Sequence, residues 1–548
     1  MSEPERSSTS APEVAGRRSH DNLLDSYSDS DISQFTEKPH SFFSIPKGYR
    51  TPQWLEHSYH QARQYITLPN PTKLIKNVFC FLIPSYLASH TNLEFKKYKP
   101  GSTEWLDGLR GIAAFFVFVY HHVVAYTGEE HDYAWDPQRH PHWIHLPILR
   151  LFYSGTPMVK IFFVISGFAL TYKPVKLMRK PGSQGSLMKT LASSAFRRYL
   201  RLFLPCAAVF LMVHCLRAWG AFDWFEVRHL GDPKILPGDI ERYPLKSSDG
   251  FWGQMGVMVA EFWLFVVGNP ILGQKYDFDT DKHLWTIPVE YVQSMALFLL
   301  VVVLAHLRRG FRVYIAIPSC YLFWVYYQKY DYPLFLCGYF CAEIHAAMHD
   351  TPTSTPLPIS HQEGTEKEAR RFKDTAKTII FSFTFFIGLW LLSFPTRDGD
   401  NTWGYKTLCQ IMNPNGYFTK RVAYHSFGAF ILVWSLLYLP RIQACLTLPL
   451  FQYLGRISFS LYLIHGSVIR TLGHRLVLEG WGGFEEDAYG KRMAVIVVVF
   501  LLAVFPVVMW IADLFWRGVE APCTLFVRWG EGLVISKEEG VDEQVKTV

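Results

Sequence analysis

Apolar residues in this chain are gathered into long blocks separated by short polar or basic stretches. A helix rising 1.5 Å per residue needs about 17–25 apolar residues to cross a hydrocarbon layer. Blocks of that kind fall at 108–126, 157–172, 201–219, 284–306, 312–328, 332–349, 376–394, 422–440, 457–472 and 492–516. One more block, 251–268, is as long but carries Glu261 and three glycines. Residues 1–70 open on a Ser- and Asp-rich stretch with no early apolar run, which predicts a disordered tail and no cleaved signal peptide. Residues 74–90 are apolar but short and include Lys76 and Pro84, the pattern of an interfacial helix lying on the membrane. The pattern predicts an all-α, polytopic membrane protein with about ten transmembrane helices between residues 100 and 520.

Charge placement orients these helices. The loop 173–201 holds eight Lys or Arg and no acid, and the turn 306–312 holds Arg308, Arg309 and Arg312. Both are expected on the cytosolic side. An even number of crossings must separate them, so 251–268 is expected as a re-entrant or interfacial segment within a non-cytosolic loop, 220–283. The loops 127–156 and 473–490, with their acidic clusters, then fall outside. The segment 350–375, Pro-rich and then charged, falls inside as a flexible linker. Residues 521–548 form a cytosolic tail, and both termini are cytosolic. No internal repeat is visible, so the inverted-repeat transporter pattern is not supported.

Composition agrees. Of 548 residues, 18% are charged and 49% hydrophobic, against about 25% charged in soluble chains. The net charge of +7 flanks apolar blocks and forms no single patch, so the bilayer is the expected partner and nucleic acid is not. Nine cysteines include no CxxC, which argues against a disulfide scaffold or a zinc ribbon. His140, His142 and His145 share the first outer loop with Glu129, Glu130 and Asp132, but HxHxxH is no established zinc site. No metal and no bound cofactor are expected. The endoplasmic reticulum or another endomembrane is the default compartment, with the plasma membrane as the alternative.

Ionisable residues inside spans mark function by default, because hydrocarbon disfavours them by several kcal/mol. Arg110 opens the first span, and His121 follows eleven residues on, roughly 16 Å deeper. From this span alone a general base and a packed, hydrogen-bonded histidine fit equally well. Glu290 lies roughly 9 Å below the non-cytosolic surface, and His465 roughly 12 Å from the cytosolic one, on one face with Tyr462. Ser458 and Ser460 suit backbone hydrogen bonds better than a substrate role. Arg198 and Arg201 share a helix face at the cytosolic mouth. Guanidinium forks suit the phosphates of acyl-CoA, but arginines at a span end also serve as plain positive-inside anchors.

Five segments in order resemble the acyltransferase 3 family of integral-membrane acyltransferases. They are Leu106-Asp107-Gly108-Leu109-Arg110-Gly111 with His121; Phe162-Phe163-Val164-Ile165-Ser166-Gly167-Phe168; Arg198-x-x-Arg201; Leu284-Trp285-Thr286 leading to Glu290-Tyr291; and Gly455-Arg456-Ile457-Ser458 running to His465. The resemblance covers about residues 100–520. It implies a bundle of roughly ten helices that moves an acyl group, usually acetyl, from acyl-CoA as co-substrate to a hydroxyl-bearing acceptor. Family acceptors include envelope polysaccharides, macrolides and fungal secondary metabolites. The family's essential Arg and His map onto Arg110 and His121, and its arginine pair onto Arg198 and Arg201. Pro288 and Thr286 depart from the common pattern and affect the geometry expected around Glu290. The long polar start and the Pro-rich insert point to a eukaryotic, fungal member.

The mechanism expected on this basis has four parts. Arg198 and Arg201 grip the donor's phosphates, and His121 deprotonates the acceptor. Glu290 orients the His121 imidazole, and Arg110, Tyr462 and His465 bind the thioester end or the oxyanion. The competing expectations are a proton-coupled transporter or channel that uses the same His and Glu, and an inactive family member serving as a receptor or scaffold.

Overall fold

The computed structural model describes residues 81–85, 103–128, 130–224, 246–271, 280–322, 331–350, 363–411, 417–482 and 489–534. Among them every regular element is helical, and only an isolated bridge between Asp136 and His140 is extended. The expected tail, 1–70, lies outside the described residues.

In chain order the helices are α1 (Glu104–Val124), α2 (Gly155–Met178), α3 (Gln184–Ala218), α4 (Gly250–Trp263), α5 (Thr286–Ala305), α6 (Arg309–Tyr321), α7 (Asp331–Asp350) and α8 (Glu363–Leu392). After these come α9 (Lys406–Ile411), α10 (Tyr417–Leu436), α11 (Pro440–Leu446), α12 (Pro449–Val468), α13 (His474–Trp481), α14 (Tyr489–Val499), α15 (Phe505–Phe515) and α16 (Ala521–Val534). Helices α14 to α16 run on through two wide turns, Phe500–Val504 and Trp516–Glu520, as one 45-residue rod, Gly490–Val534.

Six of the described helices are long and apolar enough to cross a membrane, and a seventh counts if α10 and α11, bent by 102° at their junction, form one span. That is fewer than the ten expected. The shortfall falls on helices whose polar residues dilute their hydropathy, above all α1 with Arg110, His121 and His122, and α12 with Arg456 and His465. The block expected as re-entrant or interfacial is an unbroken helix, Gly250–Gly268, itself long and apolar enough to cross. It descends beside α3: Gln254 donates to His214 Nδ1 at 2.8 Å, and Tyr199 donates to the Val266 carbonyl at 3.1 Å, roughly 22 Å along the α3 axis. By Thr280 the chain is back at His214, whose Nε2 lies 3.0 Å from the threonine hydroxyl.

Two segment boundaries need correction. Of the linker expected at 350–375, residues 363–375 already belong to α8. The expected tail begins with α16, a further helical stretch of 14 residues. Of the interfacial segment 74–90, residues 81–85 are described, and they dock on α15 and the wide turn after it. Ser85 N–H donates to Asp513 at 3.0 Å, Trp510 donates to the Leu82 carbonyl at 2.8 Å, and Arg517 donates to the Ile83 carbonyl at 3.0 Å.

Two parallel helix pairs form the centre of the bundle. In α2 and α7, Lys160 meets Asp331 at 2.9 Å and Arg179 meets Glu343 at 3.1 Å. Between these contacts a Cβ on Gly338 would lie 2.3 Å from the Val164 carbonyl oxygen. In α1 and α12, a Cβ on Gly111 would stand 2.4 Å from the Gly455 nitrogen, and one on Gly455 would stand 2.3 Å from the Asp107 carbonyl oxygen. Small residues let the backbones touch where no hydrophobic force drives helices together. That contact sets the side chains of α1 and α12 in register.

Candidate active site

The α1–α12 pair carries polar residues at both of its ends. At the first, Arg110 donates from Nε to Ser458 Oγ at 3.0 Å and from Nη2 to the Gly455 carbonyl at 2.9 Å, and it pairs with Asp107 at 3.1 Å. Eleven residues on, roughly 16 Å along the axis, His121 reaches two other imidazoles. Its ring centroid is 5.1 Å from that of His465 and 5.5 Å from that of His283, and those two are 4.4 Å apart. His121 is half-buried, whereas His283 and His465 are buried.

His283 and its supports were not singled out from the sequence. Its Nε2 lies 2.8 Å from the Tyr462 carbonyl oxygen, and its Nδ1 lies 2.7 Å from Asp281. The two ring nitrogens thus face two oxygens, the Tyr462 carbonyl and the Asp281 carboxylate. Behind it, Arg470 pairs with Asp281 at 3.0 Å and donates to the carbonyls of Thr280 and Gly466 at 3.0 and 3.2 Å. Asp281 and Arg470 are buried, so a charge on one is matched by the other. Gly466 makes room for this group, since a Cβ there would lie 2.7 Å from both Asp281 and His283. His465 is set by its Nδ1, 3.0 Å from the Leu461 carbonyl, which leaves Nε2 as the basic nitrogen of the neutral ring.

Deeper in the bundle, Glu290 of α5 receives Arg198 of α3 at 2.5 Å and the Ser166 hydroxyl of α2 at 2.6 Å. Arg198 Nε also donates to Ser294 at 3.2 Å, one turn on from Glu290. A further carboxylate, Glu520, accepts from Ser460 at 2.5 Å and lies in the electrostatic field of Arg110 and Arg201. The arginines of α1 and α3 thus share one end of the site, with the imidazoles at the other.

Residues 103–517 match the family model described as "Acyltransferase domain", which covers most of the chain. The chain belongs to the acyltransferase 3 family. An O-acetyltransferase of Phomopsis amygdali, PaAT-1, is 29% identical over 80% of this chain and 86% of its own length. The acyltransferases clz18 of Cochliobolus lunatus and R4 of a Phoma species are 26% and 27% identical, each over 77% of this chain and 94% of its own length. No solved structure matches the chain at a significant level. This acyltransferase 3 member is therefore an enzyme that transfers acyl groups other than aminoacyl groups.

Two of the expected site residues lie elsewhere than expected. Among the described residues Glu290 meets Arg198 and Ser166 and no imidazole, because α5 carries it about two turns below His283, to the level of the α3 arginines. The group expected for the thioester end is divided: Arg110 stands with the arginines, and only His465 faces His121. The Tyr462 hydroxyl is occupied by the His283 carbonyl, to which it donates, and by the Thr286 hydroxyl at 2.6 Å, so it holds the backbone ahead of α5. A signal for His283 was present in the sequence, two residues before Trp285, but its meaning depends on a loop whose path no periodicity reveals.

Two features lie apart from this site. In the outer loop, Glu130 draws in His140 at 3.0 Å and His145 at 3.3 Å, and His145 also meets the Tyr153 hydroxyl at 3.0 Å. Among the described residues no cluster has the ligand set for a metal ion. An apolar cavity of about 230 Å³, lined by Val119, His122, Ile144, Phe152, Met493 and Phe500, opens on the face of α1 turned away from His121.

Proposed function

We propose that this enzyme moves an acyl group, acetyl above all, from acyl-CoA to a hydroxyl of a small-molecule or carbohydrate acceptor, with His121 as the general base. The observation that carries this reading is the three-imidazole cluster at one end of the α1–α12 pair, with guanidinium groups roughly 16 Å away at the other. An extended pantetheine arm bridges a separation of that order, so phosphates held by Arg198 and Arg201 leave the thioester near His121. The Phomopsis amygdali relative is named as an O-acetyltransferase, which supports acetyl as the group moved.

In the chemical step the acceptor O–H gives its proton to His121 as its oxygen attacks the thioester carbonyl. The tetrahedral oxyanion then collapses, the C–S bond breaks, and the proton passes from His121 to the departing thiolate. The buried Asp281–Arg470 pair holds His283 in place beside this event. Glu290 and Ser294 hold Arg198 in place for the donor.

The path of the chain supports ten crossings. In our reading α1, α3, α6, α8 and α12 run outward, and α2, α5, α7, α10 and the final rod run inward. Residues 250–283 then form a re-entrant excursion, because Gln254 and Thr280 meet at one histidine. Both termini are cytosolic, in an endomembrane.

The test compares one host expressing either the intact protein or His121→Ala at equal levels, with small molecules, lipids and glycans surveyed by mass spectrometry. A species heavier by one acyl group, present only with the intact protein, is expected. Equal profiles in a host supplied with extracts of candidate acceptors, together with purified protein that fails to bind acetyl-CoA, would overturn the reading.

A further inference from the structure

Helix α16 lies beyond the residues that match the family model, yet it packs along the arginine-bearing side of α3. Glu531 pairs with Arg197 at 3.3 Å and accepts from Ser193. One turn earlier on α16 stands Arg528, and one turn later on α3 stands Arg201. The two helices run antiparallel, so this places the two residues on the same stretch of the α3–α16 contact. Arg201 lies in the electrostatic field of Arg198, Arg197 and Arg528, with Glu520 opposing them.

Like charges gathered this way repel unless an anion lies between them. The neighbouring carboxylates are already engaged: Glu290 by Arg198 and Ser166, Glu531 by Arg197 and Ser193, and Glu520 by Ser460. Among the described residues neither Arg201 nor Arg528 forms an ion pair, and both are exposed. The planar, five-donor fork of arginine suits a phosphate bidentately, and two forks from separate helices can enclose one.

We propose that Arg201 and Arg528 form a two-helix clamp for a phosphate group of the acyl-CoA donor, with Arg528 as a donor ligand supplied by the C-terminal helix. This rests on the reading that the α3 arginines hold the donor. The same phosphate chemistry occurs in lipid headgroups, and the experiment separates the two sources.

The full-length protein, purified in phospholipid-free detergent, is titrated with CoA as wild type and as Arg201→Ala, Arg528→Ala, Arg528→Lys and Arg475→Ala. Arg475 pairs with Glu479 and lies over the Trp224 ring at a distant surface, and it serves as the control. Equal elution and thermal midpoint establish that each variant is folded. Arg201→Ala and Arg528→Ala are each expected to raise the Kd for CoA about tenfold, the scale of one charge-assisted contact. Arg528→Lys should fall between them and wild type, and Arg475→Ala should bind as wild type does. A normal Kd in Arg528→Ala, with the loss confined to Arg201→Ala, overturns the clamp and leaves the donor reading standing. Normal binding in both overturns the donor reading as well. A normal Kd in Arg528→Ala with reduced association with phosphatidic-acid vesicles assigns Arg528 to lipid and overturns the clamp.

Discussion

The imidazoles of His121 and His465 face each other across the α1–α12 contact with their ring centroids 5.1 Å apart. One ring comes from the first described helix of the bundle and the other from a helix more than three hundred residues later, and the glycines between those helices bring the rings together. Because His121 is the half-buried member, it is the ring able to meet an acceptor. Replacement by alanine is expected to lower acyl transfer at least ~100-fold, the usual contribution of a positioned base. CoA binding, measured by titration, should remain within about twofold, since the arginines are roughly 16 Å away.

Glu290→Gln distinguishes the proposed role, bracing Arg198, from the one the sequence suggested. An amide keeps the shape but removes the charge that holds Arg198. The expected outcome is a KM for acetyl-CoA raised about tenfold, as for one lost charge-assisted contact, with kcat changed much less. A fall in kcat at unchanged KM would return Glu290 to a role at the imidazoles.

Tight backbone approach makes Gly111 a stability determinant. Gly111→Val forces a side chain into the Gly455 backbone and should cost at least about 1–3 kcal/mol. Gly482→Ala is the matched control, since a Cβ there meets nothing closer than 3.5 Å. Elution profiles of heated, detergent-solubilised samples should show a lowered midpoint for the first variant and none for the second.

The outer loop should carry its own pH dependence. Burial pushes the His145 imidazole below its ordinary value, with the Glu130 carboxylate opposing that shift. A histidine held neutral in the fold takes up a proton more readily once released, so this loop gains stability as pH rises toward 6.5 and loses it as pH falls below. Proteolysis of the outer loop in sealed, correctly oriented vesicles should therefore accelerate below about pH 6.5 in wild type and much less in His145→Gln.

Much of the fold could be read from the sequence, for a definite reason. Apolar block length and basic flanks are local properties, and they locate α1 and α5 to within a few residues, whereas α3 and α12 begin well before the apolar blocks expected at 201–219 and 457–472 because polar residues interrupt their first turns. His121 and His465 were each legible as intramembrane histidines because both fall deep in apolar blocks, eleven residues after Arg110 and nine after Arg456. The Asp281, His283 and Arg470 group was not legible. It joins a single short 3-10 turn, Lys282–Trp285, and the Asp281 before it to a wide turn almost two hundred residues later, and no spacing rule reaches across that interval. Glu290 was expected beside the His121 imidazole and lies against Arg198 and Ser166. Helical rise fixes depth and says nothing about which neighbour stands at that depth.

The register of α1 against α12 also sets a schedule for biosynthesis. Arg110 finds Ser458 only across a sequence interval of 348 residues. At 5–20 residues per second, the ribosome needs roughly 17–70 s to deliver α12 after α1. Throughout that interval α1 waits beside the translocon with a guanidinium and two imidazoles lacking their final neighbours. The newborn chain is most exposed to quality control during this delay, and substitutions in α12 should shorten the lifetime of the nascent protein even where they leave the mature bundle's contacts with lipid untouched.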